Sequence, residues 1–248
     1  MAVMDEFKEE RAAMKNKSFK EKAAHFWFYY KWHVIGSLAL LFAVSSFIYE
    51  IVSQKETAFY AAMINVSPMT AGEEFLQGYL DFAQIDGAEY TARFDTSFYY
   101  NENFIEETSY TTMEKLNLYS TTAELDVMMT DMDFFQKYAN SITFFDLRDI
   151  LSAEQLAAYE PYFYYVDQKI IDEINANIAA GNLTAEVDYP DPFTPKAMET
   201  PIPVGIRLDS CEELLENYYF KNGIPVLGVY SNTQHLEDTV EFIDYIMQ

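Results

Sequence analysis

The longest uninterrupted hydrophobic stretch of the chain lies near its amino terminus. Residues Trp32–Tyr49 include no Asp, Glu, Lys or Arg, and Ile51 and Val52 extend the apolar run past Glu50. At about 1.5 Å per residue, this stretch forms a helix of roughly 27 Å, close to the hydrocarbon thickness of a bilayer, roughly 30 Å. The pattern therefore predicts a transmembrane helix at residues 32–52.

Aromatic rings flank the amino end of this run, where they favour the lipid headgroup layer. They are Trp27, Phe28, Tyr29, Tyr30 and Trp32. A cleaved signal peptide, with Ala43-Val44-Ser45 as its cleavage site, and a buried helix of a soluble protein are the alternatives. The long segment that precedes the run favours an uncleaved anchor. Residues 1–31 are predicted to form a juxtamembrane segment, helical over 4–26, either solvated or lying on the inner leaflet.

Residues 53–248 alternate between strand-like and helix-like patterns of apolar positions. Strands are predicted at 57–66, 90–98, 125–129, 163–166, 204–208 and 225–230. Helices are predicted at 70–84, 106–119, 132–138, 153–160, 167–180, 211–219 and 236–247. The stretch 182–203 holds five of the eight prolines and is predicted to be a loop. This order predicts an α/β domain with a single mixed or mainly parallel sheet and flanking helices.

Composition confirms that a core can form and excludes one class of partner. The chain is 50% hydrophobic and 17% aromatic, so it can bury a sizeable core. Its formal net charge is −24, which argues against nucleic-acid binding, because phosphates require a basic face. The single cysteine, Cys211, excludes an intramolecular disulfide framework.

The charge is distributed unevenly about the apolar run. Residues 1–33 carry seven basic and five acidic side chains, a net charge of +2, whereas the remaining 215 residues carry nine basic and 35 acidic ones, a net charge of −26. The positive-inside rule then places the amino terminus in the cytoplasm and residues 53–248 outside it. The lipid bilayer is the first predicted partner, contacted by Trp32 to Val52.

Two segments carry a resemblance to a known family. In Ala123–Leu151, the triplets Leu125-Asp126-Val127 and Phe145-Asp146-Leu147 open and close a strand–turn–helix pattern. In Pro225–Met247, a strand ends in Ser231-Asn232 before an aromatic-Ile helix. Both segments resemble bacterial extracellular solute-binding proteins of ABC transporters, of the type 2 periplasmic-binding-like class.

The resemblance implies one lobe of such a protein tethered to a membrane. The ectodomain is about half the size of a two-lobed family member, and the chain has no lipobox cysteine. The cleft between two lobes, and the hinge closure that holds a ligand there, would be missing. The layout is also similar to single-span surface proteins of Gram-positive anaerobes.

Candidate ligand-binding residues follow from the predicted topology. Ligands of open α/β sheets bind beyond the carboxyl ends of the strands. The residues predicted there are Asn65, Ser67, Thr130, Asp131, Ser231 and Asn232. The alternative interpretation of these residues is that they form turns and cap helices.

Further candidate chemistry is sparse. Asp131 with Asp133, and Asp188 with Asp191, are carboxylate pairs that a Ca²⁺ ion could use, but capping or solvation is favoured for both. His235 is predicted to be alone and surface-exposed, so neither a zinc site nor a catalytic triad is expected. No metal and no cofactor are therefore predicted, and Cys211 is predicted to be a partly buried structural thiol.

The leading hypothesis is a membrane-anchored extracytoplasmic domain that binds a cell-envelope component or a membrane-protein partner and is not an enzyme. One alternative is a solute-binding receptor associated with an ABC-type transporter. A second is an envelope hydrolase that uses Asp131 or Asp133 as an acid or base, which requires two carboxylates in one cleft.

Overall fold

The computed structural model describes residues 17–70, 72–101, 107–141, 143–182, 187–221 and 223–248. The chain divides into two compact units, Met1–Gln54 and Lys55–Gln248. Most of the helix predicted at 4–26 therefore lies outside the described residues.

A single helix, α1 (Phe19–Val52), dominates the described part of the first unit. Its start is fixed by a capping box: the Ser18 hydroxyl accepts the Glu21 N–H at 3.4 Å, and the Glu21 carboxylate accepts the Ser18 N–H at 2.9 Å. The helix runs without interruption through the predicted span, and none of its residues is buried. By length and composition it can cross a membrane.

The second unit is built on a mixed six-stranded sheet. Its strands are β1 (Glu56–Ile64), β3 (Tyr90–Phe98), β4 (Val127–Asp131), β5 (Phe163–Asp167), β6 (Pro201–Arg207) and β8 (Pro225–Val229), and β2 (Val66–Pro68) and β7 (Tyr218–Phe220) form a separate ribbon. The order is β3-β1-β4-β8-β6-β5. Strand β1 is parallel to β3 and β4, whereas the pairs β4–β8, β8–β6 and β6–β5 are antiparallel. The prediction of a mixed α/β sheet is confirmed.

Helices cover both faces of this sheet. They are α2 (Glu73–Phe82), α3 (Glu107–Thr121), α4 (Met132–Ala139), α5 (Leu147–Ile150), α6 (Ala153–Tyr159), α7 (Gln168–Ala179), α8 (Glu212–Asn217) and α9 (Leu236–Ile246). Because side chains alternate along a strand, the side chains of β1 belong to two hydrophobic cores, one on each face of the sheet. Phe59 packs with α2, α8 and α9 on one face, and Tyr60 packs with α3, α4 and α7 on the other.

Two predicted boundaries are wrong. Strand β6 begins at Pro201, inside the loop predicted at 182–203. Prolines are tolerated at the first residue of a strand and at bulges, and Pro203 lies opposite a register shift in β5. Residues 218 and 219, predicted as the end of a helix, belong with Phe220 to β7 instead.

One phenylalanine fixes the approach of α4 to the sheet. The Phe135 ring lies against Gly205 in β6 and Gly228 in β8, and it stacks on Phe144 with ring centroids 4.9 Å apart. A Cβ atom added at Gly228 would lie 2.6 Å from the Phe135 ring. The absence of a side chain at these two strand positions therefore creates the seat for the ring.

Gly228→Ala is expected to destabilise the domain by about 1–3 kcal/mol, because the added methyl overpacks the seat of Phe135. Urea unfolding of the full chain in detergent, monitored by far-UV circular dichroism, measures the change in the free energy of unfolding. Gly87→Ala is the matched control, since its Cβ would meet only Leu80 Cδ1 at 3.7 Å. Equal midpoints for the two variants would contradict this packing.

A buried carboxylate attaches the proline-rich segment to the sheet. Asp167, at the end of β5, accepts N–H groups from Lys169, Glu199 and Thr200 at 3.2, 2.7 and 3.0 Å. Burial favours the neutral carboxyl, but the backbone donors outweigh burial and lower the pKa of Asp167 below its usual range.

The lowered pKa makes stability depend on pH in a defined direction. The stabilisation is complete above the unfolded-state pKa, about 4, and is lost as the pH falls through the lower folded-state value. We expect Asp167→Asn to lower stability at neutral pH and to flatten the decline below about pH 4. Thermal unfolding from pH 7 to pH 2 checks this, and Asp188→Asn, which removes an exposed carboxylate, should keep the wild-type slope.

Candidate functional site

The predicted binding residues at the carboxyl ends of β1 and β4 lie close together. Asn65 follows β1 with a left-handed φ of 59°, and its Oδ1 accepts the Tyr100 N–H at 2.9 Å. The hydroxyl of Thr130, which is fully buried, donates to the Ile64 carbonyl at 3.4 Å. Ser67 lies on β2 and is exposed. Most polar atoms of this edge are therefore bonded within the fold.

Asp131 lies at the same strand ends, and it caps a helix. Its carboxylate accepts the Phe134 N–H at 3.0 Å at the start of α4. The side chain is buried, whereas Asp133, two residues on, is exposed. The alternative interpretation of Asp131 as an N-cap is confirmed, and the two carboxylates do not face one enclosed space.

Ser231 and Asn232 lie at the opposite end of the strands. Strand β8 is antiparallel to β4, with Val229 opposite Val127 and Pro225 opposite Asp131. The carboxyl end of β8 is therefore separated from Asp131 by the length of β4, roughly 13 Å. The Asn232 amide donates to the Ser120 carbonyl at 2.5 Å. The six predicted residues thus form two groups rather than one site.

A polar network that the sequence did not reveal lies beside the second group. The Asp126 carboxylate is fully buried at the start of β4. It accepts the Tyr60 N–H at 2.7 Å and the Thr233 hydroxyl, and His235 Nδ1 lies 3.1 and 3.2 Å from its two oxygens. A carboxylate accepts, so Nδ1 carries the proton of the imidazole.

This network corrects the expectation for His235. The residue was predicted to be alone and surface-exposed, but its side chain is only 32% exposed and pairs with Asp126. A buried carboxylate requires several donors, and the residues just before α9 supply two of them. The only sequence signal is the triplet Leu125-Asp126-Val127, which places a carboxylate where a buried strand begins. The imidazole is held in one orientation by Asp126, and within the described residues its ring forms no hydrogen bond to a hydroxyl or thiol.

The other sequence candidates have structural roles. Asp191 accepts the Phe193 N–H at 3.1 Å and the Thr194 hydroxyl at 2.7 Å, which closes a turn. Among the described residues there is no group of three or more His, Cys, Asp or Glu side chains that could hold a metal ion. Cys211 is buried, as predicted, and burial followed by the charge of Asp209 raises the pKa of its thiol to about 11. That thiol is neutral at physiological pH and is not an activated nucleophile.

One open cavity of about 520 Å³ lies where α8 approaches the end of α9. It is lined by Ser210, Glu212, Glu213, Glu216, Tyr245, Ile246 and Gln248. The Tyr245 hydroxyl donates to the Glu213 carboxylate at 2.5 Å, and burial followed by this bond raises the pKa of Tyr245. Three glutamates and no cation give the cavity an anionic lining.

Comparison of the chain with models of protein families, with curated proteins and with solved structures gave no match. The resemblance to a solute-binding lobe therefore remains a prediction.

Asp126→Asn is expected to destabilise the domain by about 3–5 kcal/mol, because an amide nitrogen then faces donors that a carboxylate oxygen accepted. Guanidinium unfolding of the full chain in detergent gives the free energy of unfolding. Asp133→Asn makes the same chemical change at an exposed position and should stay within about 0.5 kcal/mol of wild type. Loss of the same size in both variants would show that Asp126 has no special role.

Proposed function

We propose that the chain is a single-span membrane protein, with its amino terminus in the cytoplasm, that presents the domain 55–248 outside the membrane for binding rather than catalysis. The observation that carries the proposal is α1, a 34-residue helix of which no residue is buried and which can cross a membrane by length and composition. An apolar helix with no protein cover needs a nonpolar surrounding, and a bilayer supplies it.

Charge supports the proposed orientation. The basic residues of the first 33 positions precede the apolar run, and the segment is +2. The domain after the run carries nine basic and 34 acidic side chains, a net charge of −25. Lys and Arg are retained on the cytoplasmic side during insertion, whereas acidic side chains contribute little to orientation.

Internal bonding supports recognition at a surface rather than capture in a cleft. The polar groups of Asn65, Thr130, Asp131 and Asn232 contact the protein itself. The partner is a component of the cell envelope or another membrane protein, recognised by side chains on the exterior of the domain.

We expect Leu40→Arg/Leu41→Arg to prevent stable membrane integration, because each arginine at the centre of the span costs roughly 3 kcal/mol. Leu40→Ala/Leu41→Ala, at the same positions, should remain in the membrane. Extraction of membranes with alkaline carbonate separates the two outcomes. Release of the wild-type chain, or an intact mass lacking the first 45 residues, would contradict an uncleaved anchor.

Protease treatment of intact cells tests the orientation. The domain 55–248 should be digested from outside while a tag on the amino terminus stays protected. Protection of the domain would overturn the proposed topology.

Binding is tested by zero-length carbodiimide cross-linking in cells, which joins carboxylates to amines and so uses the abundant acidic side chains of the domain. A reproducible link between this domain and one envelope component is expected, absent from cells that express α1 without the domain. Links confined to this chain would count against a separate partner.

A further inference from the structure

The two edge strands of the six-stranded sheet differ in what lies beside them. Strand β5 forms one edge, and the proline-rich segment reaches it, because the Tyr165 N–H donates to the Pro192 carbonyl at 2.9 Å. Strand β3 forms the other edge and has nine residues, Tyr90–Phe98. Within the described residues, β3 pairs with β1 and with no other strand. Its central residues, Ala92–Asp95, keep a regular register with β1, and an open strand edge of this kind is a template for pairing with another chain.

The contacts of β1 show which groups of β3 face outward. The Tyr60 N–H donates to the Asp126 carboxylate at 2.7 Å, and the Tyr60 carbonyl accepts the Asp126 N–H at 3.0 Å, so both backbone groups of Tyr60 face the β4 side. Because backbone groups alternate between the two sides of a strand, those of Ala61 face β3. Ala61 is in register with Phe94, so it bonds to the residues on either side of Phe94. The N–H and carbonyl of Phe94 therefore face away from the sheet.

We propose that β3 is a self-association edge, which pairs antiparallel with β3 of a second copy of this chain about a two-fold axis at Phe94. Two-fold pairing is isologous, so each residue meets its counterpart at an equal distance from the axis. The outward groups of Phe94 bond to those of Phe94 in the second copy. The regular part of β3 extends from Ala92 to Asp95, because its register with β1 shifts on either side of these residues.

Charge selects this register and this occupant. Pairing centred on Phe94 places Arg93 opposite Asp95 of the second copy, and Asp95 opposite Arg93 of the second copy. Opposite charges at directly facing positions stabilise antiparallel pairs, and like charges destabilise them. A centre at Arg93 or at Asp95 would set two like charges against each other. The sequence Arg93-Phe94-Asp95 is thus complementary to itself in one register.

Contacts within the chain already restrict the side chains of Arg93 and Asp95. The Arg93 side chain is 54% exposed, lies 2.9 Å from Asp95 and stacks 4.5 Å from the centroid of the Tyr60 ring. Asp95 also accepts the Tyr60 hydroxyl at 2.9 Å. The Asp95 side chain is only 8% exposed and also accepts the Ser97 N–H at 2.9 Å. Arg93 and Asp95 therefore share one face of β3, and both side chains have little freedom left to lose on association.

Cross-linking tests the register directly. Phe94 meets Phe94 of the second copy on the two-fold axis, as a hydrogen-bonded pair whose typical Cα separation, about 5.5 Å, a disulfide can span. In a Cys211→Ala background, Phe94→Cys should give a covalent dimer when membranes containing the full chain are oxidised with copper phenanthroline. Thr91→Cys in the same background is the matched control and should remain mostly monomeric, because residue 91 and its counterpart lie roughly 20 Å apart along the paired strands.

Mass measurement in detergent tests the charge argument. The wild-type chain should sediment as a dimer in equilibrium with monomer, and Arg93→Glu should raise the dissociation constant at least tenfold. Lys196→Glu changes the net charge equally on the exposed proline-rich segment and should leave the dissociation constant unchanged. A monomeric wild-type chain overturns the proposal, as does a dimer that neither cross-links in the Phe94→Cys variant nor responds to Arg93→Glu. These outcomes are independent of which side of the membrane the domain occupies.

Discussion

The buried carboxylate of Asp126 joins three separate parts of the domain: β1, the start of β4 and the turn before α9. It accepts the Tyr60 N–H, the Thr233 hydroxyl and His235, while its own backbone N–H and carbonyl bond to Tyr60 and Tyr230. Desolvating a carboxylate costs several kcal/mol unless donors surround it, so β1, β4 and the turn before α9 must all be in place together. The parallel half of the sheet, the return of β8 and the start of α9 are therefore coupled through one group.

The antiparallel return of β8 explains why the strand-end residues do not form one cleft. Sheets that bind ligands at strand ends do so where neighbouring strands finish at the same edge. Here the carboxyl ends of β1 and β4 lie on one side of the sheet, and the carboxyl end of β8 lies on the opposite side. Asn65, Thr130 and Asp131 are consequently bonded locally. After β8, Thr233 and His235 bond to Asp126.

The sequence predicted β3 at its full length, and it predicted the α/β class, the apolar helix and the Asp131 cap, because these depend on local periodicity and short-range bonds. It could not predict strand direction, since Pro225–Val229 has the same apolar pattern whichever way it runs. The pairing of Asp126 with His235 joins residues 109 positions apart, so no local pattern reports it. The start of β6 was missed because Pro201 resembles a loop residue until its partner strand is known.

Most Lys and Arg side chains of the domain lie over aromatic rings rather than beside its acidic helices. Five of the nine lie over Tyr or Phe rings: Arg93, Lys115, Lys137, Arg207 and Lys221. Helices α2, α8 and α9 pack on one face of the sheet and carry ten carboxylates without a Lys or Arg. Among the described residues, no Lys or Arg forms an ion pair with these carboxylates, so that face repels another copy of the domain and any anionic lipid surface. Close approach between copies is least opposed where a cation is present, and Arg93 provides one beside the open strand edge.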